Sequence, residues 1–118
     1  MDRENVARDK GFRLAVRIVK MARYRQKECS EYVLSRQVLR SGTSIGANIE
    51  EALAAQSRKD FVAKMAIASK ESRETLYWIR LLKETGYLEG DAAGSVRCDC
   101  EELTRLLTSI VKSTQEKQ

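Results

Sequence analysis

The sequence of 118 residues contains no histidine and no proline. Without histidine the chain cannot form a Ser-His-Asp triad, a Cys-His pair or a histidine general base, and the usual zinc-ligand sets are excluded too. Without proline, nothing breaks a long helix from within. The two absences together argue against most hydrolases and favour long, uninterrupted helices.

Long apolar runs and paired cysteines are also missing. No run of about eighteen apolar residues occurs, and no cationic leader precedes an apolar segment, so we expect neither a membrane span nor a secretory signal. The cysteines, Cys29, Cys98 and Cys100, are odd in number, which argues against a disulfide framework. No second ligand pair accompanies Cys98 and Cys100, so we predict no metal and no cofactor. The expected location is the cytoplasm.

Four amphipathic segments are present, and they predict a single all-α domain over residues 1–118, folded as an antiparallel up-down four-helix bundle. The predicted helices span, from apolar periodicity, about residues 5–26, 32–56, 58–85 and 92–114. Ser57 is expected to cap the third helix and Gly86 to end it, while Asp91 or Ser95 is expected to cap the fourth.

Each helix has one apolar stripe that should face the core. The third helix has spacings of four and three, typical of a bundle seam. The predicted stripes contain, in chain order, Leu14, Ala15, Ile18 and Ala22; Leu34, Val38, Ile45, Ile49 and Ala52; Phe61, Met65, Ala68, Ser72, Thr75, Ile79 and Leu82; and Val96, Cys100, Leu103, Leu107, Ile110, Val111 and Thr114.

The segment RSGTSIGANIEEA, residues 40–52, places small and polar residues where the second helix should have bulky ones. Gly42 and Gly46 each cost roughly 1 kcal/mol against alanine inside a helix, so we expect a close backbone approach there. A predicted polar core consists of Ser41, Asn48 and Glu71, with Asn48 as the partner of Glu71. Since neither histidine nor a second convergent acid is available to Glu71, a structural role is favoured and no enzyme activity is expected.

Three runs resemble a known family: RSGTSIGANIEEA, AQSRKDFVAKMAIASKESRETLYWIRLLKETGYL and CEELTRLLTSIVK. They are similar to the bacterial four-helix-bundle proteins encoded in intervening sequences of large-subunit ribosomal RNA genes, over about residues 10–113. The resemblance implies a ring, typically a homopentamer, and no established reaction. It also implies a distant likeness to the accessory protein of diversity-generating retroelements, which binds nucleic acid and reverse transcriptase. Gly46 stands where many relatives have proline, so the bend of the second helix is left open.

Positive charge is concentrated near the start of the chain. Residues 1–40 hold 11 of the 22 Lys and Arg residues but only 5 of the 17 Asp and Glu residues, and no acid lies between Lys10 and Lys27. The side of the first helix opposite its apolar stripe carries Arg13, Arg17, Lys20, Arg23 and Lys27. A solvated surface is the ordinary interpretation, but the absence of interleaved glutamate favours a polyanionic partner. Tyr24, at the edge of this surface, could stack on a base or lie at a protomer interface.

Apolar residues outside the stripes suggest assembly. Val16, Ala63, Ala66, Tyr77 and Leu81 point away from the core, and we expect Val16, Tyr77 and Leu81 in an oligomer interface. The predicted function is therefore non-enzymatic binding of RNA or DNA by a homo-oligomer, without strong sequence specificity. The alternative is a scaffold or accessory subunit that docks an acidic protein such as a polymerase. Membrane binding ranks last, because the apolar stripe is committed to the core.

Overall fold

The computed structural model describes residues 2–116, which form four α-helices and no strand. The helices are α1 (Arg3–Cys29), α2 (Val33–Leu53), α3 (Arg58–Glu84) and α4 (Gly90–Glu116). In this part of the chain α1 and α3 each contact both α2 and α4, but not each other. The result is an elongated bundle measuring 47 × 21 × 21 Å. None of the four helices is long and apolar enough to cross a membrane.

Side-chain and backbone caps fix the helix ends. Asp2 accepts a hydrogen bond from the backbone N–H of Asn5, so α1 begins earlier than predicted. The helix ends at Cys29 and is followed by its C-cap, Ser30, which has a left-handed φ of 52°. Ser57 accepts from the backbone N–H of Asp60, as predicted. Gly86, with a φ of 84°, ends α3 in a Schellman motif in which the Tyr87 N–H donates to the Leu82 carbonyl at 2.9 Å.

The end of α2 and the start of α4 also differ from prediction. The second helix ends at Leu53 rather than near residue 56, because the chain uses residues 54–56 to reach Ser57, whose backbone is extended with φ −147°. The fourth helix begins at Gly90, so neither Asp91 nor Ser95 is its N-cap. Asp91 lies in the first turn, where its negative charge favours the positive end of the helix dipole.

The core follows the predicted stripes closely. Most of their residues are buried, and the exceptions are half-buried: Ala15, Leu34, Phe61, Val111 and Thr114. The fully buried large side chains include Leu14, Ile18, Ile45, Ile49, Met65, Ile79, Leu103, Leu107 and Ile110. A core of this kind gives the bundle most of its stability, since apolar burial contributes roughly 25 cal/mol per Å².

Glycine brings α1 and α2 together. A methyl group at Gly42 would lie 2.8 Å from Cγ2 of Ile18, and one at Gly46 would lie 3.5 Å from the backbone of Gly11. The predicted close backbone approach is therefore confirmed at Gly46, whereas at Gly42 the side chain of Ile18 occupies the space. The second helix runs without interruption through Gly46.

Candidate nucleic-acid interface

The outer surface of α1 carries four exposed cations on the side opposite its buried residues, namely Arg13, Lys20, Arg23 and Lys27. Within residues 2–116, no carboxylate lies within ion-pair distance of any of them. We call these four side chains the basic face. Its charge is therefore available to a negatively charged partner.

Arg17, unlike these four residues, has a carboxylate partner in the described part of the chain. Its side chain is half-buried, and its guanidinium forms an ion pair with Asp99 of α4. Two helical turns earlier along α1, Lys10 forms an ion pair with Glu102 of α4 in the same way. Arg17, predicted together with the four residues of the basic face, is thus engaged by α4, which presents acids along its edge with α1.

Apolar side chains interrupt the amino-terminal half of this surface. Phe12 is 69% exposed and Val16, one turn later, is 38% exposed. Together with Arg13, Arg17 and α4 they line an open groove of about 470 Å³. Val16 was expected at an oligomer interface, whereas Phe12 was missed, although its position off the apolar stripe could have identified it.

The carboxyl-terminal half of α1 carries an aromatic ring stacked against a cation. Tyr24 is 53% exposed, and the guanidinium carbon of Arg25 lies 4.3 Å from the centroid of its ring. The Nε atom of Arg25 is buried and has no hydrogen-bond partner among the described residues. Sequence reasoning missed Arg25, although it follows the buried Ala22 by three residues and so lies near the core side of the helix.

Glu31, in the turn between α1 and α2, already has hydrogen-bond partners for its carboxylate. Both carboxylate oxygens of Glu31 accept backbone N–H groups at the start of α2, from Leu34 at 2.7 Å and from Ser35 at 2.8 Å. Beside Glu31, Tyr32 and Val33 are 48% and 69% exposed. The turn between α1 and α2 thus exposes apolar surface while its glutamate is engaged in capping.

The predicted polar core is rearranged. Ser41 is fully buried, and its hydroxyl oxygen lies 2.9 Å from that of Thr75 on α3. Asn48 is only half-buried and donates within its own helix to the carbonyl of Ser44 at 2.9 Å. The predicted pairing of Asn48 with Glu71 is therefore wrong, because the asparagine side chain finds an acceptor one turn back along α2.

Glu71 instead belongs to an ion-pair network with α2. Arg40 lies 3.3 Å from the Glu71 carboxylate and also pairs with Glu74, which accepts a further hydrogen bond from the indole N–H of Trp78 at 3.0 Å. The Trp78 hydrogen bond and Arg40 hold the pKa of Glu74 below its ordinary value. The network favours a charged carboxylate that joins α2 to α3, rather than a proton donor.

The other predicted interface residues lie on α3. Tyr77 is 54% exposed and Leu81, one turn later, is half-buried. Of the neighbouring alanines, Ala63 is exposed and Ala66 is half-buried. This second apolar surface is separate from Phe12 and Val16, because α1 and α3 do not contact each other in the described chain.

The cysteines are free thiols of different accessibility. Cys29 and Cys98 are exposed, whereas burial raises the pKa of Cys100 to about 12. Cys100 therefore stays protonated near neutral pH. Residues 2–116 contain no group of three or more acidic or cysteine side chains arranged to hold a metal ion.

These features define an all-α four-helix bundle with a basic surface on its first helix. The sequence profile of the 23S rRNA-intervening sequence protein family matches residues 3–109, and the chain belongs to that family, as predicted. A crystal structure of a protein from Bacteroides thetaiotaomicron, described as having unknown function and as coming from the S23 ribosomal protein family, is also similar. The two are 49% identical with a TM-score of 0.91, over 94% of this chain and 99% of that one. Comparison with curated proteins gives no match.

Proposed function

We propose that this chain is a non-enzymatic, homo-oligomeric protein that binds RNA or DNA, without strong sequence specificity, through the basic face of α1. The observation that carries the proposal is the set of four exposed cations with no carboxylate partner in residues 2–116. Phosphate groups would supply the missing negative charge and release counterions on binding. Lysine and arginine contacts to phosphates fix position without reading bases, which supports tolerance of sequence.

We also propose that the four helices of each chain form an antiparallel up-down bundle. Copies of this bundle assemble into a ring, with five protomers as the family resemblance implies. Opposite helix directions are supported by the order of contacts, since Lys10 meets Glu102 whereas the later Arg17 meets the earlier Asp99. The two separate apolar surfaces, one with Phe12 and Val16 and one with Tyr77 and Leu81, support a head-to-tail contact between copies. Such contacts generate rings when their rotation closes.

A ring would repeat the basic face in every protomer, so that several weak phosphate contacts act together. We further propose that the protein acts in the cytoplasm. Its three cysteines are free thiols, as a reducing compartment keeps them.

A scaffold that docks an acidic protein, such as a polymerase, is the second candidate. Phe12 and Val16 favour it, because exposed apolar side chains among cations are typical of protein interfaces.

The discriminating experiment reverses the basic face while leaving Arg17 and its ion pair intact. The test variant carries Arg13, Lys20, Arg23 and Lys27 replaced by Glu. We expect at least about 10-fold weaker binding to both RNA and DNA, and a flatter salt dependence, since each phosphate contact contributes a slope of about −0.7 to −0.9 in log K against log salt. Fluorescence anisotropy titrations at several salt concentrations measure both quantities.

A matched control replaces four exposed cations elsewhere, Lys59, Lys70, Arg105 and Lys112, by Glu and so changes the net charge equally. Circular dichroism and sedimentation verify that both variants keep the parent fold and mass. Equal losses in the two variants would mean that net charge alone drives binding, and no binding by the parent at about 50 mM salt would favour the scaffold.

A further inference from the structure

The carboxyl-terminal end of α1 combines an exposed aromatic ring with uncompensated positive charge. Arg23 and Lys27, two members of the basic face, flank Tyr24 in sequence, and both are exposed. Of the two acids that follow, Glu31 is occupied by capping α2, which leaves Glu28 as the exposed one. Along this end of α1, Arg23 and Lys27 thus face one acid that is not used for capping, Glu28, which lies one helical turn after Tyr24.

The position of Arg25 determines which part of the ring is accessible. Its guanidinium covers one face of the Tyr24 ring at 4.3 Å from the centroid, yet 53% of Tyr24 is exposed. Because Arg25 covers that face, a planar ligand can reach the ring only from the opposite face or the edge. Arg25 is itself held in place, since its Nε is buried and its Nη1 lies 3.7 Å from the Cys29 sulfur.

We propose that Tyr24 and Arg25 together form a stacking platform for one unpaired base, so that the preferred ligand of the basic face is a single-stranded nucleic acid. A base would cover the open face of the Tyr24 ring, while Arg23 and Lys27 contact the phosphates on either side. A guanidinium behind an aromatic ring adds cation–π attraction to the stack. A duplex offers no such base, because its bases are already stacked and paired.

This inference rests on the proposed function and narrows its ligand. The probes are oligothymidylate and oligouridylate of about 20 nucleotides, a length that exceeds the site of one small binding domain, together with a DNA duplex of equal length. The variants are Tyr24→Leu, Tyr24→Phe and Tyr32→Leu. Tyr32 is the matched control, because it is 48% exposed on the neighbouring turn and no guanidinium of residues 2–116 is stacked on it.

We expect the parent to bind both single strands more tightly than the duplex. Tyr24→Leu should weaken single-strand binding by about 5- to 150-fold, the range that loss of one base stack gives, with duplex affinity unchanged. Tyr24→Phe should keep the parent affinity because it keeps the ring, and Tyr32→Leu should do so because Tyr32 lies outside the platform. Sedimentation of each variant checks that its mass is that of the parent.

The outcomes distinguish a failure of the stacking platform from a failure of nucleic-acid binding by the basic face. If the parent binds single strand and duplex equally and Tyr24→Leu changes neither, the platform is refuted while the phosphate-binding function stands. Equal losses for Tyr24→Leu and Tyr32→Leu, or for single strand and duplex, would also overturn the platform. If the parent binds none of the probes, the nucleic-acid function itself fails, and an acidic protein becomes the partner to test.

Discussion

The hydroxyl pair of Ser41 and Thr75 lies in the interior between α2 and α3. Both residues are fully buried, and Thr75 also bonds to the Glu71 carbonyl at 2.8 Å, so no water is needed to satisfy its hydroxyl. A second buried pair, Thr104 with Ser72 at 3.0 Å, joins α4 to α3. Polar pairs at fixed positions along apolar seams favour one register of the helices over others.

Replacing Thr75 by valine tests the energetic weight of the first pair. We expect Thr75→Val to lower the free energy of unfolding by about 1 to 3 kcal/mol, because the Ser41 hydroxyl would be buried without its partner. In a Ser41→Ala background the same change should cost less, since no orphaned hydroxyl remains. Urea denaturation of the four proteins measures the difference, and equal costs in both backgrounds would show that the pair contributes nothing as a pair.

The pairing of individual side chains was the feature of the structure that the sequence predicted least well. The sequence identified Ser41 as buried, because periodicity places it on the apolar side of its helix. It could not identify the partner of Asn48, since a backbone carbonyl one turn away competes with any side chain across the interface. Pairing between helices depends on their relative rotation and height, which a one-dimensional pattern does not contain.

At the level of the element, the two glycines of α2 differ in what surrounds them. We expect Gly42→Ala to destabilise the protein by about 1 to 3 kcal/mol, because the new methyl would meet the stiff, β-branched Ile18 at 2.8 Å. Gly46→Ala should be neutral or stabilising by up to about 1 kcal/mol, since its methyl would lie at ordinary contact distance from Gly11 and alanine favours the helix. Thermal unfolding of the two variants checks this order, and the reverse order would mean that Ile18 rearranges freely.

The sequence predicted the four helices and the buried side of each more accurately than it predicted where each helix begins and ends. The spacing from Met65 to Leu82 predicted one side of α3 correctly, because burial repeats with the helical period. Asp2 and Ser30 extended α1 beyond its predicted limits through cap geometry, and a serine in a left-handed conformation gives no glycine-like signal in advance. The sequence placed the basic face on α1 from the distribution of charge alone. It could not show that Arg17 pairs with Asp99, because the two residues are far apart in sequence.

At the scale of the whole molecule, the two apolar surfaces predict self-association. The protein should sediment as an oligomer at micromolar concentration, and Tyr77→Glu should reduce its mass because a charge would enter the interface. Lys112→Glu, an exposed change on α4, should leave the mass unchanged. A concentration-independent mass near 13.4 kDa for the parent would contradict assembly.

The seam between α1 and α4 has a consequence for how the chain folds. The other helix contacts join consecutive helices, whereas this seam joins residues such as Arg3 and Ser109. Local pairs form before distant ones, because closing a longer loop costs more chain entropy. The α1–α4 seam, with Lys10–Glu102 and Arg17–Asp99 at its exposed edge, should therefore close after the rate-limiting barrier. Interactions formed that late slow unfolding more than they speed folding, so added salt should act mainly on the unfolding limb of a chevron plot.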